Sequence, residues 1–337
     1  MEQEQGVVLG LDVGYSNLCM VFDSPPGSGS SQAIVAPAGA GPAALLPRAI
    51  VESRLHQRHD PGADGWRVQV GNTLWAAGVE PGRLQGYPRD LHADYPASDS
   101  YRALVFAALA ATGAARVRLV TGLPASHYQE GRSDLVRRFR GEHRLGPSST
   151  VLVESVTVLP QPVGSYIDFL DVDKHLEIAE RSRILVVDVG FFSVDWVLIE
   201  QGELRAASSG TSLLAMSVLF QEADDILRGR YGRRHGADRI ERAARHSEQH
   251  IHVRATKVPL GDLLADAAAS VAPRAVTEMR RALRAEDLPD CLLLTGGGAA
   301  LFEASVASAF ADSKVVVPGR PVIANAHGFW LAGRSGA

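Results

Sequence analysis

The stretch Ile184-Leu-Val-Val-Asp188-Val-Gly190-Phe-Phe-Ser193-Val-Asp195-Trp196 decides the fold. Its apolar opening, rich in β-branched residues, predicts a strand buried on both faces. Asp188 stands where that strand ends, Gly190 and Ser193 follow, and a second apolar run resumes at once. This is a strand, a tight turn and a strand, with a carboxylate at the turn. The chain does it twice. Near the N-terminus, Val7-Val-Leu-Gly-Leu-Asp12-Val-Gly14-Tyr-Ser16-Asn17-Leu-Cys-Met-Val-Phe22 repeats Asp-Val-Gly, then an aromatic and a nearby serine. A glycine just past a strand lets backbone N–H groups approach a phosphate. Serine and asparagine add donors, and two carboxylates can hold Mg2+ through its waters. Two such turns facing each other suit a polyphosphate and its metal ion.

Working outward, 337 residues fit about two domains. Hydrophobic residues at 46% and charged residues at 21% give the profile of a soluble globular protein. A net charge of −4 advertises neither a membrane nor direct nucleic-acid binding. The two cysteines, Cys19 and Cys291, lie in strand-like runs and make no disulfide framework, so a cytoplasmic setting is expected. The N-terminal Met-Glu-Gln-Glu-Gln lacks an apolar h-region, so no signal peptide is read. No apolar run approaches the ~18 residues of a spanning helix.

Short strands are expected at Arg48-Ala-Ile-Val51 and Trp66–Val70, within a small inserted subdomain at about 45–95. A helix over 100–112 precedes a strand over 116–121, and strand signals at 151–153 and 156–159 precede a helix-like run through Phe169. One long helix is predicted over 263–283, with a kink near Pro273. Cys291–Thr295 reads as a buried strand, 299–310 as a helix, Lys314–Val317 as the last strand, and Ala324 opens the last helix. The mixed order predicts an α/β chain of two related halves, each opened by an Asp-x-Gly hairpin.

Three further features bear on chemistry. Thr295-Gly-Gly-Gly298 would let a flat ligand lie on backbone, although a tight strand–helix turn gives the same letters. Gln161 stands between Pro160 and Pro162. A neutral amide can orient a water for in-line attack on a γ-phosphate; the plain alternative is a surface glutamine in a proline turn. Seven arginines crowd 228–245, and with Asp224, Asp225, Asp238 and Glu241 among them a solvated helix face is favoured over a DNA or adaptor site. His246-Ser-Glu-Gln-His250 puts its glutamate one place late for a His-Glu-x-x-His zinc helix. There is no Gly-x-x-x-x-Gly-Lys-Ser/Thr phosphate loop.

Five segments, in this order, resemble the actin/Hsp70/sugar-kinase superfamily. They are Asp12-Val-Gly-Tyr-Ser-Asn17, Pro160-Gln-Pro-Val-Gly164, Asp188-Val-Gly-Phe-Phe-Ser193, Thr295-Gly-Gly-Gly298 and Ala324-Asn-Ala-His-Gly328. Thr121-Gly-Leu-Pro124, Pro-Gln-Pro-Val-Gly-Ser-Tyr and the C-terminal Asn-Ala-x-Gly-Phe-Trp resemble the plasmid-segregation actins of the ParM/StbA type, with the actin-like protein D of PRTRC plasmid clusters as the sub-group.

The resemblance implies a two-lobed actin-like, duplicated ribonuclease H-like fold with a nucleotide cleft between the lobes. Domain I would take 1–165 and 311–337, and domain II 166–310 with an insertion at about 221–262. Asp12 and Asp188 would organise Mg2+, with Asp188 and Gln161 acting on the attacking water. Gly14, Tyr15, Ser16, Asn17, Gly190 and Ser193 would line the phosphates of ATP, with GTP as the alternative. Gly210 would lie near the ribose, and Gly296, Gly297 and Gly298 near the adenosine. The family polymerises into filaments and can couple to an adaptor protein on plasmid DNA. Phe191 departs from the pattern, which has a glycine there. A sugar-kinase-like enzyme lacks a visible carboxylate base and sugar pocket here, and a chaperone-like ATPase lacks a peptide-binding domain.

Overall fold

The computed structural model describes residues 6–25, 29–47, 65–87, 89, 92, 94–171, 173–284 and 288–335. The strand expected at 48–51 and part of the expected subdomain lie outside them. The chain divides into two compact units, Met1–Leu123 with His127–Ile167 and Asn325–Ala337, and Pro124–Ser126 with Asp168–Ala324.

The first unit opens with β1 (Val7–Val13), β2 (Asn17–Asp23) and β3 (Ser31–Pro37), an antiparallel meander. β4 (Gly39–Pro42), β5 (Trp66–Val70) and β6 (Thr73–Val79) form a separate three-stranded sheet, order β4-β6-β5. Helix α1 (Asp99–Ala111) follows, its first turn capped by Ser98 Oγ, which accepts the Tyr101 N–H at 3.1 Å. Next come β7 (Arg116–Leu123), α2 (Tyr128–Phe139), β8 (Gly141–Gly146) and β9 (Ser149–Pro160). The two strand signals at 151–153 and 156–159 are thus one strand, which runs parallel to β7 with a register shift. The main sheet has order β3-β2-β1-β7-β9-β8. α3 (Gln161–Leu170) starts earlier than its sequence suggests. Pro162 is its second residue, where a missing N–H costs no helical bond.

The second unit repeats the plan. After α4 (Asp173–Arg181), β10 (Arg183–Val189), β11 (Val194–Glu200) and β12 (Glu203–Ser212) form a second antiparallel meander. Then come α5 (Met216–Tyr231), α6 (Ala237–Arg245), the hairpin of β13 (His250–Val253) and β14 (Thr256–Pro259), and α7 (Leu260–Ala282). α7 includes Pro273. β15 (Cys291–Thr295) pairs parallel with β10, α8 (Ala299–Ala309) follows, and β16 (Lys314–Val316) pairs parallel with β15. The sheet order is β12-β11-β10-β15-β16. Because β16 belongs to this sheet, the second unit runs through Ala324, whereas the sequence boundary was drawn at 310.

Helix α9 (Ala324–Ser335) returns to the first sheet, and Gly10 shows how closely. A Cβ there would stand 2.2 Å from the Ala326 carbonyl oxygen and 2.4 Å from the Trp330 nitrogen. Trp330 Nε1 also donates to Asp23 Oδ1 at 2.9 Å. Each unit has its own apolar core: Leu9, Leu11, Met20, Leu104 and Leu119 in the first, and Leu185, Val187, Leu198, Leu292 and Phe302 in the second.

Candidate functional site

The turn after β1 begins at Asp12, which pairs across the hairpin with Cys19. The Gly14 N–H donates to the Asn17 carbonyl at 2.9 Å and closes the turn. The Ser16 carbonyl accepts the Ala38 N–H at 2.8 Å. Tyr15 packs against the core of its own unit, stacking on Tyr95 at 4.6 Å and donating its hydroxyl to the His92 carbonyl at 2.9 Å.

The Asp12 carboxylate is held from two helices. Gln161 Nε2 donates to Oδ1 at 2.8 Å, and Asn325 Nδ2 donates to Oδ2 at 3.2 Å. Ser165 Oγ, one turn along α3 from Gln161, donates to Asn325 Oδ1 at 2.6 Å and fixes that amide. An ionised carboxylate only accepts, so the Gln161 amide must present nitrogen to Asp12. Its oxygen is thereby oriented as an acceptor, the role needed to align a water proton. Gln161 is half-buried and held on Asp12, so it is not a free surface amide. Beneath it, burial pushes the Tyr101 phenol well above its ordinary value; the Asp12 charge adds to that and a Thr121 hydrogen bond opposes it. Tyr101 therefore stays a neutral floor.

In the second unit, Asp188 pairs across the hairpin with Asp195, and the Gly190 N–H donates to the Ser193 carbonyl at 2.9 Å. The turn is the same as the first. The Gly190 and Phe191 carbonyls also accept the Met216 and Ser217 N–H groups at 3.2 and 2.8 Å, so the turn caps α5, whose Ala215 offers no side-chain cap. Phe191 packs against this unit's core, its ring 6.3 Å from Phe220. The bulk that replaces the expected glycine is thus absorbed by packing.

Asp195 is 4% exposed. It accepts Ser193 Oγ at Oδ2 and Thr211 Oγ1 at Oδ1, both at 2.6 Å. Ser193 therefore does more than line a turn: it is anchored to a buried carboxylate. Sequence reasoning assigned Asp195 no role, although a charged residue inside the apolar run Val194-Asp195-Trp196-Val197 was a usable signal. Asn325 lies in the C-terminal segment that carries the resemblance, but its role was not visible there, because its link to Asp12 spans 313 positions.

The glycines of Gly296-Gly-Gly298 divide in purpose. Gly296 has φ +83°, and a Cβ there would lie 2.4 Å from Asp188 Oδ1, so the loop seats directly on that carboxylate. Gly298 is buried against Val189 and Met216, whereas Gly297 is exposed. Gly210 faces the Trp196 ring, 2.6 Å from where its Cβ would stand, which gives it a packing reason independent of any ribose. The structure thus groups Asp12, Gln161 and Asn325 in the first unit, and Asp188, Ser193, Asp195, Thr211 and Gly296 in the second. Among the described residues no group of three or more His, Cys, Asp or Glu side chains forms a metal cluster, and no helix is long and apolar enough to cross a membrane.

Residues 10–164 match the family model for the N-terminal domain of actin-like proteins. Residues 186–308 match that for the C-terminal domain of the archaeal actin homologue, MreB-like. No curated protein matches in sequence. Among solved structures the chain is similar to an archaeal actin homologue, with TM-score 0.75, 20% identity, and coverage of 98% of this chain and 99% of the other. The same homologue in complex with ADP gives TM-score 0.74 at 19% identity, covering 97% and 99%. A ParM from Clostridium botulinum, solved as a 15-stranded filament, gives 0.73 at 16% identity, covering 98% and 99%. These likenesses carry the two-lobed α/β actin-like fold, and the two family models identify its halves: the chain is built of an actin-like N-terminal domain and an MreB-like C-terminal domain.

Proposed function

We propose that this chain binds Mg-ATP through both hairpin turns, hydrolyses it, and assembles into filaments under nucleotide control. Segregation of plasmid DNA through an adaptor protein is the cellular task that the ParM-type resemblance implies. The observation that carries the reading is the pair of amides on Asp12. A glutamine from α3 and an asparagine from α9 converge on the one carboxylate of a phosphate-type turn. A merely structural aspartate at a hairpin end needs no such double support.

The donor set fits the proposed ligand. Mg2+ takes oxygen ligands and keeps several of its waters. Asp12 and Asp188 would hold that hydrated ion, each in an arrangement fixed by its own unit. The Ser16 hydroxyl and the turn backbone that follows Gly14 and Gly190 would bind phosphate oxygens; the two glycine N–H groups close the turns and the Ser193 proton goes to Asp195, so these would line the site without donating to it. Gln161 would orient the attacking water through its amide oxygen, and the exposed Gly297 would offer backbone to the base. Bound Mg2+ would supply charge neutralisation for the transferring phosphoryl group. Filament formation is supported by the ParM relative solved as a filament, and nucleotide binding by the ADP complex of the archaeal homologue.

Light scattering on adding Mg-ATP, run beside phosphate release, tests this. The expected result is assembly that rises with ATP and decays as ATP is consumed. Phosphate release without assembly under any salt condition would move the chain to a non-polymerising ATPase on the same fold. Absence of both would overturn the proposal.

A further inference from the structure

We propose that the concavity lined by Arg233, Arg234, His235, Arg239, His252 and Arg254 is a binding site for a compact oligophosphate, lying outside the hairpin turns. It is built where the end of α5, the start of α6 and the tip of the β13–β14 hairpin come together. Residues 224–258 carry nine arginines and lysines against five acidic residues, in a chain whose net charge is −4.

The pairing pattern decides what this excess is for. Around the concavity three of four arginines are matched, Arg228 with Asp225 at 3.8 Å, Arg230 with Asp266 at 2.7 Å and Arg245 with Glu241, while Arg242 forms no ion pair among the described residues. Within it only Arg234 is matched, lying 3.2 Å from Asp224 and also against Asp225. Arg233, Arg239 and Arg254 are exposed and form no ion pair among the described residues. Uncompensated positive charge is therefore gathered into the hollow.

The hollow is also preformed. Asp224, 2% exposed, accepts the backbone N–H groups of His235 at 2.6 Å and Gly236 at 2.8 Å as well as Arg234. A buried carboxylate is tolerated when it is satisfied in this way, and the loop it ties down is the one that presents Arg233 and Arg234. Guanidinium forks match phosphate oxygens in pairs, which point charges do not. A nucleic-acid backbone would call for a continuous basic stripe. The paired arginines around the rim interrupt any such stripe and favour a small anion with several phosphate oxygens. Burial and then Arg239 hold the His235 imidazole below its ordinary value, with Asp224 and Glu248 pulling the other way. An anion seated beside it would raise that value.

The test uses the full chain with inorganic pyrophosphate and EDTA, read by calorimetry and by histidine NMR. Wild-type protein is expected to bind and His235 to titrate at higher pH. The double variant Arg239→Ala/Arg254→Ala should bind at least about tenfold more weakly, the loss of roughly one charge-assisted contact, while its Mg-ATP hydrolysis before assembly is unchanged. Asp188→Ala should leave pyrophosphate binding intact, which separates this site from the proposed nucleotide site. ATP in EDTA, as a second arm, should compete if the source is a nucleotide and not free pyrophosphate; either result keeps the oligophosphate site. Absence of binding to wild-type protein would overturn the proposal. So would binding that survives the double arginine change, or arginine-dependent binding of a duplex DNA with none of pyrophosphate.

Discussion

The two hairpins share a backbone and differ in who holds the carboxylate. In each, Asp-x-Gly closes with the glycine N–H on the carbonyl three residues later, at 2.9 Å. In each the aromatic after the glycine packs into its own unit, Tyr15 on Tyr95 and Phe191 near Phe220. Across the strand from the aspartate, however, the first hairpin has Cys19 and the second has Asp195. Around Asp12 the polar partners are side-chain amides brought in from α3 and α9. The second hairpin instead carries a further carboxylate, satisfied by hydroxyls from its own meander. A duplicated fold has thus kept the turn and divided the chemistry. Under the proposed function both hairpins give a carboxylate to the cation, and only the first adds an amide placed to orient a water.

That division can be broken at several points. Asp188→Ala should have the largest effect, lowering ATP turnover by about 10³-fold, the scale of losing a transition-state electrostatic group; steady-state phosphate release reads it. Gln161→Ala should slow turnover by about 10²-fold, the low end for a positioned proton-handling group, while fluorescent-nucleotide binding stays within about twofold. Matching losses in affinity and rate would instead make Gln161 a structural support for Asp12. Asn325→Ala should cost about tenfold in Mg2+ affinity, the range for a group that orients a ligand from behind. Its urea midpoint should fall only slightly. Asp195→Ala strands the Ser193 hydroxyl, while Thr211 keeps Ser126 at 3.2 Å, and should destabilise the fold by about 1–2 kcal/mol. Cys19→Ala, at the matching position, should cost about 1 kcal/mol, the scale of trimming a small buried hydrophobe. Equal costs would erase the contrast between the hairpins.

Much of this was legible in the sequence because it is local. Asp-Val-Gly between two apolar runs specifies a strand, a turn and a strand wherever it occurs, and its recurrence gave the duplication. The glycine triplet was visible too, but its three letters hide three jobs: positive φ against Asp188 at Gly296, exposure at Gly297 and packing on Met216 at Gly298. What stayed hidden is long-range or chemically generic. Asn325 reaches Asp12 only because α9 crosses β1 at Gly10, and nothing in an asparagine reports its partner. Prolines on both sides of Gln161 read as a proline turn. Instead β9 ends at Pro160 and α3 begins at Gln161, since a helix tolerates proline in its first turn. The resemblance implies 311–337 for the first domain, whereas the hydrogen bonds of the short last strand go to β15.

The central claim is that both turns act on one magnesium–triphosphate. A double-mutant cycle on Mg-ATP affinity, with Asp12→Ala, Asp188→Ala and the pair, measures this most directly. Two carboxylates on one ion give non-additive losses, so the pair should bind little more weakly than the worse single variant. Strictly additive losses, or a single variant with wild-type affinity and magnesium dependence, would contradict it.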